Sequence, residues 1–234
     1  MDQVQRILEL LDEVEEKFDS LVGKINSILS HVPFFLRWAA DKFMELWDAV
    51  VEKWQQFWAK VGEFISYLGA PWDLDAAKDA WNTLGGPVAE RGSEADRAQS
   101  EVDFEWTGRA ADRYALSLGA QRSALTAVRD KLTSAIGPAL GGLASAIYIF
   151  YGAVIAAVVV LAAGILTATG EAISVLGLPA VPPTVITAIV AAVAALSAAM
   201  LNLRSQASAA QSTFDGIAHQ TSDFGAGDWP QAVI

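Results

Sequence analysis

Ile147-Tyr148-Ile149-Phe150-Tyr151-Gly152-Ala153-Val154-Ile155-Ala156-Ala157-Val158-Val159-Val160-Leu161-Ala162-Ala163-Gly164-Ile165-Leu166 is uncharged from end to end. Working outward, the only charged side chain between Leu132 and Leu203 is Glu171. A second apolar stretch follows it, from Val185-Ile186 through Ile189-Val190 to Met200-Leu201. Each lies in an uncharged run longer than the roughly 20 residues that cross a hydrocarbon core of ~30 Å. Between them, Gly177-Leu178-Pro179-Ala180-Val181-Pro182-Pro183 is expected to break helical structure, because proline lacks a donor N–H and restricts the residue before it. The region 132–204 therefore reads as two membrane-competent helices joined by a tight turn.

A helix that is apolar all round can also be the central helix of a soluble core. The first stretch has enough Leu, Ile, Phe and Val to insert alone, each contributing about −0.3 to −0.6 kcal/mol at a helix centre. The second is rich in alanine (Ala188, Ala191, Ala192, Ala194, Ala195, Ala198, Ala199) and is marginal without its partner. The flanking charges agree with insertion. Arg122, Arg129 and Lys131 precede the hairpin and Arg204 follows it, so both ends would face the side from which it inserts.

The net charge of −11 lies mostly outside the hairpin. An acidic chain without a basic cluster is not expected to bind nucleic acid, which requires Lys and Arg gathered against phosphates. There is no cysteine, which removes disulfides, thiol catalysis and thiolate metal sites. Met1-Asp2-Gln3-Val4 leads into an acidic helix and lacks the basic start and apolar core of a cleavable signal peptide.

Residues 1–70 read as an amphipathic helical hairpin. Val4, Ile7, Leu11, Val14, Phe18, Leu21, Ile25 and Ile28 alternate spacings of three and four, a heptad stripe that buries one seam against another helix. Ser30-His31-Val32-Pro33 ends that helix, with the proline placed to start the next. From about Phe34 to Leu68, Leu36, Ala40, Phe43, Trp47, Val50, Trp54, Phe57, Val61, Phe64 and Leu68 repeat the pattern. Phe35, Trp38, Trp58 and Ile65 widen its apolar face. The polar face mixes signs, unlike the cationic face usual in surface-seeking helices, so packing against the first helix is the expectation.

Residues 71–131 read as a further helical hairpin. Asp73 or Asp75 caps its first helix, and Gly85-Gly86-Pro87 is expected to kink or interrupt it. The helix then resumes on small residues until Glu105-Trp106-Thr107-Gly108-Arg109-Ala110-Ala111-Asp112-Arg113-Tyr114. Gly108 can take backbone angles closed to other residues, and Trp106 can cover the end of the hairpin core. Trp106-Thr107-Gly108 followed by Ala111 and Tyr114 resembles the WXG family, small helical hairpins exported by type VII secretion systems of actinobacteria and related bacteria. The resemblance covers about Asp73 to Lys131. It implies that Trp106-x-Gly108 sits in the turn between antiparallel helices, and that Ala111 lets them approach. It also implies an export signal, Tyr-x-x-x-Asp/Glu, and no tyrosine here has that spacing. Phe224-Gly225-Ala226-Gly227-Asp228 is the nearest approximation, which favours co-export with a signal-bearing partner.

Little in the sequence suggests reaction chemistry. His31 and His219 have no ligand partner at a suitable spacing, and the glycine-rich stretches lack the Lys and Ser/Thr of a phosphate loop. Gly137 with Gly141, and Gly152 with Ala156, place small residues four apart, a spacing that lets transmembrane helices touch. The expectation is an all-α protein of long antiparallel hairpins, one of them hydrophobic and membrane-competent, with a C-terminal helix end and tail over 205–234. It is expected to be non-enzymatic, without cofactor, metal or small-molecule substrate. Its expected partners are a membrane and a helical protein or a second copy, and its expected location is the membrane or outside the cell by a type VII route. The competing expectation is a soluble helical adaptor or chaperone-like module whose apolar helices form an oligomeric or partner-bound core.

Overall fold

Side chains that repeat every three or four residues force helices to pair, and the computed structural model of the chain pairs them. Residues 3–66, 69–219 and 229–230 are described, without the side chains of residues 102 and 103. The protein is all-α. Its helices are α1 (Gln3–Leu29), α2 (Arg37–Ile65), α3 (Pro71–Glu105), α4 (Arg109–Ala127), α5 (Ser134–Glu171) and α6 (Val181–His219). A π-helical segment, Val128–Thr133, joins α4 to α5, and short 3₁₀ turns at Phe34–Leu36 and Leu178–Ala180 precede α2 and α6.

The chain forms two compact units. Unit 1 comprises residues 1–69 and 147–203, and unit 2 comprises residues 70–146 and 204–234. Residues 132–146 thus fall in unit 2, and the apolar residues 147–203 share unit 1 with the heptad helices. Periodicity identifies the face each helix must bury. It does not identify the partner that buries it.

In unit 1, the α1 stripe is the face that is buried: Ile7, Leu10, Leu11, Val14, Phe18, Leu21 and Ile25. Phe18 stacks on Trp54 of α2 with ring centroids 3.9 Å apart, and Trp47 lies 6.2 Å from it. Such pairs add about 0.5–1.5 kcal/mol beyond the area they bury. On α2, Ala39, Phe43, Val50, Phe57, Val61 and Phe64 are buried. The wider apolar face expected for α2 is only partly inside. Trp58 packs edge-on against Trp54, whereas Phe35, Trp38 and Ile65 are exposed. The first turn of the expected helix is 3₁₀, and Leu68 lies outside the described residues.

The apolar hairpin buries one face of each of its helices. Phe150, Tyr151, Val154, Val158, Leu161 and Ile165 of α5 lie in the unit 1 core with Val181, Val185, Ile189, Ala192 and Leu196 of α6. Phe64 packs 4.8 Å from Phe150, and the Tyr151 hydroxyl donates to the Gly69 carbonyl. Lys24 reaches the Thr169 carbonyl at 3.3 Å. The turn is shorter than the proline run suggested. Val181, Pro182 and Pro183 are already the first turn of α6, because first-turn N–H groups have no intrahelical acceptor to lose.

Unit 2 is built on α3 and α4. Helix α3 runs unbroken through Gly85-Gly86-Pro87, correcting the expected interruption. It starts at Pro71, with Asp73 in its first turn, where the carboxylate complements the helix dipole. The buried side chains of α4 are small: Ala111, Ala124 and Ala127. An ion pair between Arg122 and Asp96, 2.7 Å apart, links α4 to α3.

Candidate functional site

Two features carry functional weight, one in each unit. In unit 1 it is the side of the hairpin turned away from the core. On α5, Ile149, Gly152, Ala156, Val159, Val160, Ala163 and Leu166 are exposed and recur at helical spacing. On α6, Thr187, Val190, Ala191, Ala194, Ala198 and Leu201 form a matching stripe. At 1.5 Å per residue, these stripes run for about 26 Å and about 21 Å. Neither contains a charge. The most apolar 18-residue windows of the two helical stretches, Arg109–Glu171 and Leu178–His219, have mean hydropathies of 2.6 and 2.3, and 39% of each is buried. Both helices are therefore long and apolar enough to cross a membrane.

Three threonine hydroxyls of these helices are satisfied within their own helix. Thr167 donates to the Ala163 carbonyl at 3.0 Å, Thr169 to Ile165 at 2.7 Å and Thr187 to Pro183 at 2.8 Å. A hydroxyl bonded to the carbonyl four residues earlier asks nothing of its surroundings. Glu171 sits at the turn end of α5. One of its carboxylate oxygens accepts a 3.0 Å bond from the Thr184 hydroxyl; the other, Oε2, is buried with no hydrogen-bond partner among the described residues.

The proposed packing glycines divide between the units. Gly137 and Gly141 face α3: a Cβ on Gly137 would overlap the Asn82 side chain, and one on Gly141 would come within 2.8 Å of the Lys78 stem. They make room for polar side chains of α3 in unit 2. Gly152 and Ala156 belong to the exposed stripe, and nothing lies within 4 Å of a Cβ added at Gly152. The close approach within the hairpin is at Gly164, where an added Cβ would collide with the Cβ of Ala188. Sequence reading missed this contact. Gly164 is the glycine of an otherwise Ala- and Val-rich stretch, a signal that marks close approach only once the opposing helix is known.

In unit 2, the feature is the α3–α4 turn. Helix α3 ends at Glu105, and Gly108 caps α4 with φ +104°, a region that L side chains rarely adopt. The Asp112 N–H donates to the Gly108 carbonyl at 3.1 Å. Trp106 is half exposed and lies on Tyr114, with ring centroids 5.9 Å apart, and Ala111 is buried behind the turn. Ala98, Glu101 and Glu105 line a shallow groove beside this pair. Phe224 and Asp228 lie outside the described residues. Next to them, the Trp229 indole and the Pro230 carbonyl both bond to the Gln121 amide of α4.

The charged groups with displaced proton affinities are exposed ion pairs. A hydrogen bond from Arg129 holds Asp130 below the usual carboxylate range, and a hydrogen bond to Asp75 raises Lys78. No group of three or more His, Asp or Glu side chains suited to a metal ion occurs among the described residues. Comparison of the chain with protein-family models, curated proteins and solved structures finds no match.

Proposed function

We propose that this chain is a non-enzymatic helical protein that associates with membranes through the hairpin 147–203. The observation that carries this reading is the uncharged outward face of α5 and α6, whose Thr167 and Thr187 hydroxyls bond within their own helices. Lipid asks for such a surface, because every polar group must find its partner inside the protein. The outer faces of α1 and α2 are charged, so these helices belong in water. In the arrangement seen, they cover one side of the hairpin; full insertion exchanges their contacts for lipid. The test is alkaline carbonate washing of vesicles incubated with the full chain. An inserted hairpin stays with the lipid, and a peripheral or soluble protein is released.

The turn Trp106-Thr107-Gly108 supports a second element of the proposal, an association with type VII secretion. The positive φ of Gly108, the Trp106–Tyr114 contact and the buried Ala111 fit the role that the WXG resemblance gives these residues. Export would proceed with a signal-bearing helical partner. Deleting the secretion system and following the protein in culture filtrate and membrane fractions tests this element, and an unchanged distribution would remove it.

The soluble adaptor has one observation on its side. The inner faces of the hairpin, α1 and α2 close a core of large side chains without lipid. Release of the protein by carbonate, together with a stable oligomer in solution, would favour that reading.

A further inference from the structure

The contacts within unit 1 fix which of its ends carries which connection. Phe64 of α2 lies beside Phe150, near the start of the hairpin's first helix. Lys24, near the end of α1, reaches Thr169, near the end of α5. Helix α2 also touches the 3₁₀ turn Leu178–Ala180. Counting along α2 from Phe64 by the 19 residues that separate Phe150 from Thr169 brings Glu45 level with Lys24. Trp38 then lies about 10 Å further on, at 1.5 Å per residue. The α1–α2 connection and the turn of the apolar hairpin therefore share one end of the unit.

That end is built from large apolar side chains facing solvent. Phe34 is 82% exposed, Phe35 75%, Trp38 60%, Ile173 78% and Leu176 61%. Acid is absent from both connections: Ile28 to Trp38 and Ala172 to Pro183 hold no Asp or Glu, in a chain of net charge −11. Arg37 stands there, its guanidinium 5.3 Å from the Phe34 ring centroid. Glu171, the nearest carboxylate along the hairpin, points one oxygen at Thr184 and buries the other.

We propose that this end, through Phe34, Phe35, Trp38, Ile173 and Leu176, is the surface that docks on a phospholipid bilayer and leads the hairpin into it. The inference deepens the membrane reading and rests on it. Tryptophan and phenylalanine favour the lipid–water interface, and Arg37 brings to this end a cation that suits an anionic headgroup layer, the first acid of α2, Asp41, lying one turn further from the connection. A second copy of the chain is a poorer occupant. The five side chains offer on the order of 500 Å², against the ~800 Å² that each partner gives to a standard protein interface. Unit 2 provides an internal contrast. At the α3–α4 end Phe104 is equally exposed, but the exposed Glu101, Glu105, Arg109, Asp112 and Arg113 make that turn a densely charged surface of mixed sign.

The test measures partition of the full-length protein onto phosphatidylcholine vesicles, with and without phosphatidylglycerol. The combined variant Phe34→Ser, Phe35→Ser and Trp38→Ser removes exposed groups, and circular dichroism checks that it stays helical. It is expected to lose roughly tenfold or more in vesicle affinity, while Phe104→Ser binds like the parent. Parent-like binding by the combined variant would overturn the docking end and leave the membrane reading standing. No vesicle binding by the parent would overturn both. Phe35→Cys carrying an environment-sensitive fluorophore gives an independent readout in an otherwise intact end. Its emission should shift to the blue on vesicles, and an unshifted spectrum from bound protein would overturn the assignment.

Discussion

Gly164→Ala puts the packing of the apolar hairpin to a quantitative test. In an open helix, replacing glycine by alanine stabilises by about 0.5–1 kcal/mol, because alanine has less backbone freedom to lose. At Gly164 the added Cβ would fall well inside van der Waals contact of the Ala188 Cβ. Overpacking of that kind costs about 1–3 kcal/mol, so the clash outweighs the helix preference and the net effect is a loss of up to about 2 kcal/mol. Ala188→Gly alone removes the opposing methyl and adds a flexible residue, costing about 1 kcal/mol. In the double variant, the glycine has changed sides and the methyl groups no longer collide. Its stability should return close to the parent's, well above the sum of the two single effects. Denaturant unfolding of the full chain and both single variants and the double variant closes the cycle. Stabilisation by Gly164→Ala, or strict additivity in the double variant, would show that α5 and α6 do not touch at this point.

Three further outcomes follow from named contacts. Phe18→Ala removes a buried ring stacked on Trp54 and should destabilise by about 3–5 kcal/mol, read as a lower denaturation midpoint; Leu8→Ala, on the exposed face, should change it little. Gly108→Val forces a β-branched residue to φ +104° and should cost about 1–3 kcal/mol, whereas Gly119→Ala, where the glycine is helical and open, should be neutral or stabilising in the same melt. Ala156→Arg should leave the fold intact in solution, because Ala156 is exposed, and should oppose insertion by about 2.5–3.5 kcal/mol; vesicle binding equal to that of Gln55→Arg would contradict insertion at that position.

Much of this fold is legible in the sequence because heptad spacing is a geometric statement. The buried residues Ile7, Leu11, Val14, Phe18, Leu21 and Ile25 are the stripe itself. The turn at Trp106-Thr107-Gly108 also stands where the sequence puts it, with glycine at the residue that has positive φ. Other features depend on what lies opposite. Gly137 and Gly141 have the spacing of a membrane contact, yet they admit Asn82 and Lys78. Pro182 and Pro183 open a helix, where a first-turn N–H has no intrahelical acceptor to lose, whereas Pro87 lies within a helix that continues around it and gives up the bond to the Thr83 carbonyl. The exposed aromatic end is hidden from periodicity because Phe35 and Trp38 continue the apolar face of α2 but lie beyond its partners.

The absence of native cysteine makes the decisive measurement clean, since Ala156→Cys supplies a single labelling site on the exposed stripe of α5. An environment-sensitive fluorophore at this position starts in water, accessible to aqueous iodide. If α5 enters the bilayer, adding vesicles moves its emission to the blue, removes iodide quenching and opens it to quenchers carried at the centre of the acyl chains. A vesicle-bound protein whose label keeps its aqueous emission and its iodide quenching would contradict a hairpin that enters the membrane.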